Sequence, residues 1–394
     1  MPPTYDVIVV GSGPAGSCAA WQLAQAGVEV AVLEKAALPR YKTCGGGLVG
    51  RARRWLPIDV RHVIEQECCG AQLNFLLSNL SFTTYRPTPL VSMTMRSELD
   101  FALLSAAQTS GAVVHRLCTV ERMSLHDDSA TVLTTRGPMR SRFVIAADGA
   151  LSPVTRSMGW EDGRLLIPAL EWEVTVPLSR LRSFEGVARF DFDIVPTGYA
   201  WIFPKRHHLS IGVLSMRRQR HGLHAAMARY LDLLGFSTPE QVEQHGFVIP
   251  VRPRRGGVAR ERILLVGDAA GFADPVTGEG ISYAVKSGLL AAQSLIDGHL
   301  EREAVESIYD RLIARALLPE LRIGSMLARF LYDYPRIRTW AFLKQGQVLC
   351  EAMADVMTGT RRYRDLVRLG PLFRFFRSRG LSCLMGRSPQ VGQR

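Results

Sequence analysis

Several features are missing from this sequence, and each absence narrows what the chain can be. No apolar run approaches the roughly 18 residues that a membrane-crossing helix needs, so contact with a bilayer is expected only from its surface. No basic region, apolar core and cleavage site precede the first strand-like run, which reads as a chain without a secretory leader. The cysteines (18, 44, 68, 69, 118, 350 and 383) are odd in number and contain no C-x-x-C pair. That disfavours a disulfide framework or zinc site and predicts reduced thiols in a cytoplasmic protein. Cys68–Cys69 and His207–His208 are adjacent pairs without metal-ligand spacing, so no metal is expected. Repeats and low-complexity segments are absent. A net charge of +12 invites an anionic partner. Without a helix-turn-helix, zinc-finger or RNA-binding signature, however, no nucleic acid is expected.

At 394 residues the chain is long enough for two or three domains. Its start organises the rest. Val7 to Val10 is a short apolar, β-branched run, as in a strand buried on both faces of a parallel sheet. Gly11, Ser12, Gly13, Pro14, Ala15 and Gly16 then spell G-x-G-x-x-G. A helix-compatible run extends to Ala26, Gly27 stops it, and Val28 to Leu33 reads as a second strand ending at Glu34. Strand, glycine turn, helix, strand and acid make the context in which this motif binds a dinucleotide. Gly11 permits the turn, Gly13 lets backbone approach a pyrophosphate, and Gly16 allows close packing. The helix N-terminus offers N–H groups to phosphate, and Glu34 suits a ribose diol. No second such motif follows, so no separate nicotinamide domain is visible.

Beyond Glu34, Cys44 and three glycines (Gly45, Gly46, Gly47) precede a short basic helix. The triple glycine reads equally as a flexible loop or as backbone passing close to a flat ligand. Leu73 to Leu77, Phe82 to Tyr85 and Val91 to Met95 read as strands of an inserted sheet; a helix capped by Ser97 follows. Ala112 to Ile145 reads as a strand, a meander and a return strand running to Asp148-Gly149. Residues 161–255 alternate as antiparallel strands do, with one helix from His221 to Leu234. Arg262 to Asp268 is a buried strand ending in an acid, and a long helix begins near Ile281. From Glu301 the pattern is helical, with breaks near Pro335, Gly359 and Gly370. The expected division is a nucleotide-binding domain over 1–70, 96–160 and 256–300. A substrate domain is expected over 71–95 and 161–255, and a helical region over 301–394.

GSGPAG with Glu34, AADG at 146–149 and GDAAGFADPVTGEG at 267–280 come in an order and spacing that resemble the para-hydroxybenzoate-hydroxylase-type flavoprotein fold. Within it the chain is most similar to the geranylgeranyl reductase family. Hydroxylases of this fold commonly carry GDAAH, whereas Gly271 stands here; DPVTGEGI, Cys44-Gly45-Gly46-Gly47 and the Y-x-W-x-F-P of Tyr199 to Pro204 are similar to the prenyl reductases. The resemblance implies an α/β protein: a Rossmann-like FAD-binding domain, an inserted antiparallel substrate domain and C-terminal helices. It implies FAD held by Gly11, Gly13, Pro14, Ala15, Gly16, Glu34, Lys35, Cys44, Gly45, Gly46, Arg96, Asp148, Gly267, Asp268, Pro275, Gly278, Glu279, Gly280 and Ile281. For Arg96 the plain alternative is a surface arginine at a helix start. Gly47, Tyr199, Trp201, Phe203 and Pro204 would line a substrate cavity. Read without the family, the three aromatics share one sheet face, which suits plain core equally.

The implied activity is saturation of C=C bonds in an isoprenoid lipid, by hydride from the reduced flavin and a proton from the protein. Cys44 is the first candidate for that donor or for a gating contact, because an ordinary thiol is mostly protonated at neutral pH. Tyr41 and Tyr199 are the fallbacks. NADPH or reduced ferredoxin would supply electrons from the basic surface. From Arg361 the tail carries nine arginines against one acid, interleaved with Leu and Phe, which suits peripheral binding to an anionic membrane or a helix packed on the body. The alternatives are a flavin monooxygenase on an apolar substrate and a non-catalytic electron-transfer flavoprotein.

Overall fold

The computed structural model describes residues 2–218, 222–236 and 241–366. Its first sheet has eight strands and forms where the sequence is most apolar. Thr4–Val10 lies between Val30–Glu34 and Gly137–Ala146, parallel to both. Val113–Arg116 adds beyond one neighbour and Ile263–Leu265 beyond the other, again in parallel. Val7, Ile8 and Val9 are fully buried, as parallel strands covered on both faces must be. The strands Val120–Leu125 and Ala130–Thr134 extend Gly137–Ala146 as an antiparallel meander.

The chain leaves the first strand through Gly11, at φ +100°, and enters helix Pro14–Gln25 with proline at its first turn. This helix packs along Ile281–Asp297 so closely that a Cβ on Gly288 would sit 2.1 Å from the Ala15 carbonyl oxygen.

A second sheet of seven strands runs in the order 241–250, 166–175, 209–215, 198–204, 187–192, 70–75, 80–85. It is antiparallel except where Val187–Phe192 meets Gly70–Phe75. One face buries Ile202, Ile211 and Val213 under Met227 and Tyr230 of helix Leu223–Leu233. The other face, carrying Tyr199, Trp201 and Phe203, turns toward the glycine turn of the first sheet across a cavity. Helices Arg302–Ala316, Leu318–Asp333, Pro335–Thr358 and Tyr363–Leu366 follow, the third kinked at Gln345.

Four elements differ from the sequence reading. Val91–Thr94 is not part of the inserted sheet but the centre of a third one, between Gly47–Val49 and Ile64–Cys68. It is buried along its length and needs a strand on each side for its backbone groups. Ser97 is not an N-cap: helix Arg96–Thr109 starts after Met95, its first turn tied by Arg96 to Asp100 through two bonds of 2.8 Å. A break at Leu317 went unread, although Pro319 in the first turn of helix Leu318–Asp333 announces it. Within 161–255 a second, short helix, Leu178–Arg182, joins the one expected. Gly370 lies outside the described residues.

Gly288→Val should push the two helices apart. Overpacking of this kind costs about 1–3 kcal/mol, so thermal unfolding is expected several degrees lower; an unchanged midpoint would refute the tight-packing account.

Candidate active site

The cavity between the two large sheets has a volume of about 830 Å³, within the range of about 300–1,000 Å³ usual for cofactor and ligand sites. At one end lies the glycine turn. A Cβ on Gly11 would sit 2.5 Å from the Ala147 carbonyl oxygen, whereas one on Gly13 would meet only Arg96 Nη2, at 4.0 Å. Gly11 therefore closes the turn and Gly13 leaves open space before the uncapped first turn of helix Pro14–Gln25, a cradle for an anion. Gly16 does not line the cavity: a Cβ there would lie 2.0 Å from the Gly11 carbonyl oxygen, so its role is packing.

Glu34 is buried at the end of its strand and accepts from Ser12 Oγ at 2.6 Å, Ser12 N at 3.1 Å and Ala36 N at 2.9 Å. Burial works to raise its pKa, but these bonds and Arg40 outweigh that and hold the carboxyl below its ordinary range. Asp148 is pushed up by burial; one of its oxygens accepts from Val154 N at 3.0 Å and the other has no partner among the described residues. Asp268 lines the middle of the cavity. Burial raises its pKa against the pull of Lys42, Arg96 and Arg164.

The triple glycine is neither loose nor simply open to a ligand. A Cβ on Gly45 would lie 2.9 Å from both Trp201 Nε1 and Phe203 Cδ2; one on Gly46, at φ +67°, would lie 1.9 Å from the Thr94 carbonyl oxygen and 2.3 Å from Lys205 Nζ. Trp201 is wedged from behind as well, since a Cβ on Gly212 would sit 1.9 Å from its ring. Cys44 lines the cavity beside this loop, its Sγ accepting from Gly46 N at 3.4 Å.

The structure brings to the cavity wall every site residue expected from sequence except Gly16, Pro204 and Pro275. Pro204 pairs with Leu209 at the strand end, and Pro275 packs where a Cβ on Gly324 would meet it at 2.9 Å. Arg96 is not a surface arginine: it is held by buried Asp100 and lines the wall. The Tyr199 hydroxyl donates to the Thr277 carbonyl, which commits its proton. At the start of helix Ile281–Asp297, Glu279 accepts from Ser282 N at 2.6 Å.

Sequence reasoning missed two groups of wall residues. Arg51 pairs with Asp274 at 2.8 Å and Glu279 at 3.1 Å, and the Tyr363 hydroxyl closes over Asp274 at 2.9 Å. Glu171, on the second sheet, accepts from the Tyr41 hydroxyl at 2.8 Å, and Lys42 lies 3.5 Å over the Phe247 ring. Only the glycines at 278 and 280 hinted at the first group. Nothing local marked the second.

Residues 4–185 match the FAD binding domain family. A menaquinone reductase of Mycobacterium tuberculosis is 31% identical over 78% of this chain and 80% of its own length. A chloroplastic geranylgeranyl diphosphate reductase of Oryza sativa is 30% identical over 83% of this chain and 75% of its own length. The chain belongs to the geranylgeranyl reductase family. The fold matches a geranylgeranyl bacteriochlorophyll reductase-like structure from Thermoplasma acidophilum at TM-score 0.78 and 23% identity, covering 93% of this chain and 98% of that one. It also matches a flavin-dependent brominase at TM-score 0.71 and 20% identity, covering 90% and 94%. This family member is an FAD-dependent oxidoreductase. The open cradle at Gly13, the orphaned Asp148 oxygen and the cavity's size fit that cofactor.

Gly212→Ala should displace the Trp201 indole from its slot, shifting its fluorescence while the bound flavin's absorbance stays at the wild-type level. An unmoved emission spectrum would show that Trp201 is not wedged there.

Proposed function

We propose that this chain is a reductase that saturates carbon–carbon double bonds of an isoprenoid chain. One observation carries the reading: a single cavity joins the glycine turn to a wall of Tyr199, Trp201, Phe203, Phe190 and Phe247. The polar end suits a dinucleotide and the aromatic wall suits an apolar chain lying along it. The relatives named above bear prenyl compounds in their names.

In this reading Gly11, Gly13, Pro14 and Ala15 hold the pyrophosphate of FAD and Glu34 its ribose. Asp268 and the segment Gly278 to Ile281 border the ring system, with Gly45, Gly46 and Arg96 opposite. Reduced flavin supplies the hydride. The protein's part is to hold the alkene in line, exclude water and deliver a proton. Cys44, between the glycine loop and the aromatic wall, is the group that gives the proton. Arg51 and Glu279 fix the loop that borders the site. NADPH or reduced ferredoxin is the electron source, docking on the basic surface.

Supplying reductant and a geranylgeranyl lipid should give products heavier by two hydrogens per reduced bond in mass spectrometry. Hydroxylated product formed with oxygen would instead favour a monooxygenase, and no product at all an electron carrier. Cys44→Ala should keep FAD but lose alkene reduction by about 10²–10⁴-fold; full turnover would remove Cys44 from the mechanism.

Peripheral membrane association follows from the substrate. The tail expected to make it begins packed on the body, with Tyr363 and Leu366 buried; its remainder lies outside the described residues. Among the described residues no helix is long and apolar enough to cross a membrane. Removing residues 367–394 should reduce binding to anionic liposomes, and undiminished binding would exclude the tail as the anchor.

A further inference from the structure

One exposed face of the molecule is apolar, basic at its edges and without a part in the reaction proposed above. It lies on the first turns of helix Pro335–Thr358. Ile337, Trp340 and Leu343 recur every three residues, so they form one stripe. Trp340 is 55% exposed and Leu343 61%. The opposite stripe, Arg338, Ala341 and Phe342, is buried. Beside the helix stands the turn Leu76–Ser78, whose Leu77 is 88% exposed. Asp193 ties the two together, accepting from Leu77 N at 3.2 Å and pairing with Arg338. Single exposed apolar side chains are ordinary, but a contiguous group carried by two elements marks an interaction surface.

The charges on this face have one sign. From Tyr334 to Cys350 the sequence carries no acid, and exposed Arg336 and Lys344 make no ion pair among the described residues. The acids that flank this run are occupied: Asp333 faces Arg217 at 3.8 Å, and Glu351 accepts from Gln347 Nε2 at 3.1 Å. A tryptophan beside aliphatic residues, with basic groups at the rim, is the composition of a helix that lies in a membrane interface. Long basic side chains reach the headgroups there while their stems stay apolar. A second copy of the chain suits the face less well. Two-fold pairing would set the face against itself and bring Arg336 and Lys344 toward their like, which repels. The face also leads inward. The Phe342 ring centroid lies 4.3 Å from that of Phe75, Phe75 lies 4.7 Å from Phe192, and Phe192 lies 6.0 Å from Tyr199 on the cavity wall. Farther along the same helix, Val356 and Met357 line that cavity.

We propose that Ile337, Trp340, Leu343 and the Leu77 turn form a docking surface for an anionic phospholipid bilayer. The apolar side chains enter the boundary between headgroups and acyl chains, and Arg336 and Lys344 meet the lipid phosphates. The inference rests on the peripheral association proposed above and assigns it to a surface separate from the tail. An apolar substrate dissolved in the bilayer then arrives on the side from which the aromatic row runs to the cavity wall. Docking is measured without substrate or turnover, so its failure leaves the reductase reading standing.

The test is co-sedimentation of the full-length, FAD-loaded protein with vesicles of phosphatidylcholine and phosphatidylglycerol. Trp340→Ser combined with Leu343→Ser should weaken binding by about tenfold or more, the loss expected when two large apolar side chains no longer leave water. Leu77→Ser, on the separate turn, should weaken it severalfold and serves if the helix variant does not fold. Unchanged flavin absorbance checks that each variant is intact. Arg336→Gln combined with Lys344→Gln should cut the preference for these vesicles over pure phosphatidylcholine by about tenfold. Wild-type vesicle binding in any of the three variants would overturn the proposal, as would failure of the wild type to sediment with the vesicles. A wild-type dimer in solution that the same substitutions dissociate would overturn it too, giving the face to a second copy of the chain.

Discussion

The site depends on backbone from one part of the chain lying directly against side chains from another. The loop Gly45–Gly47 has no side chains, and none would fit: Trp201, Phe203, Lys205 and the Thr94 carbonyl occupy the space where a Cβ would go. That contact sets the distance between the third sheet, through Val91 and Thr94, and the sheet that carries the aromatic wall. Gly212 provides the matching slot behind Trp201. Remove either clearance and the indole has to leave the wall. Cavity width is therefore fixed by close packing in a dense interior and not by a flexible loop.

Electrostatics follow from the same enclosure. Lys205 is fully buried beneath that loop, and burial works to lower its pKa while Glu173 and Glu65 resist the change. Asp268 and Asp148 are pushed the other way. Several arginines keep their charge inside the protein because each faces a carboxylate at close range: Arg96 with Asp100, and Arg51 with Asp274 and Glu279. Breaking one such pair leaves an uncompensated buried charge, which costs far more than a surface pair is worth.

What could be read in the sequence was what is local. GSGPAG, its flanking strands and Glu34 are a contiguous run of some thirty residues whose periodicity and glycines carry their own physical meaning. Tyr199, Trp201 and Phe203 were legible as one face through their period of two. The same rule hid Glu171 and Glu173. Alternating acids in a strand look like a solvated face, yet this face is closed off by Tyr41, 130 residues away in the chain. Lys205 is likewise buried by a distant segment, the glycine loop at Gly46. The helix start at Arg96 was missed because a side-chain pair within the first turn took the place of a cap.

Arg51, Asp274 and Tyr363 meet at one point although the first two are separated by 223 residues and the last two by 89. The glycine turn and Asp268 both precede Asp274 in the chain, but the hydroxyl that covers Asp274 comes 89 residues after it. A nascent chain can thus present its nucleotide cradle early while the far wall of the same chamber still gapes. Enclosure of the chamber waits for Tyr363.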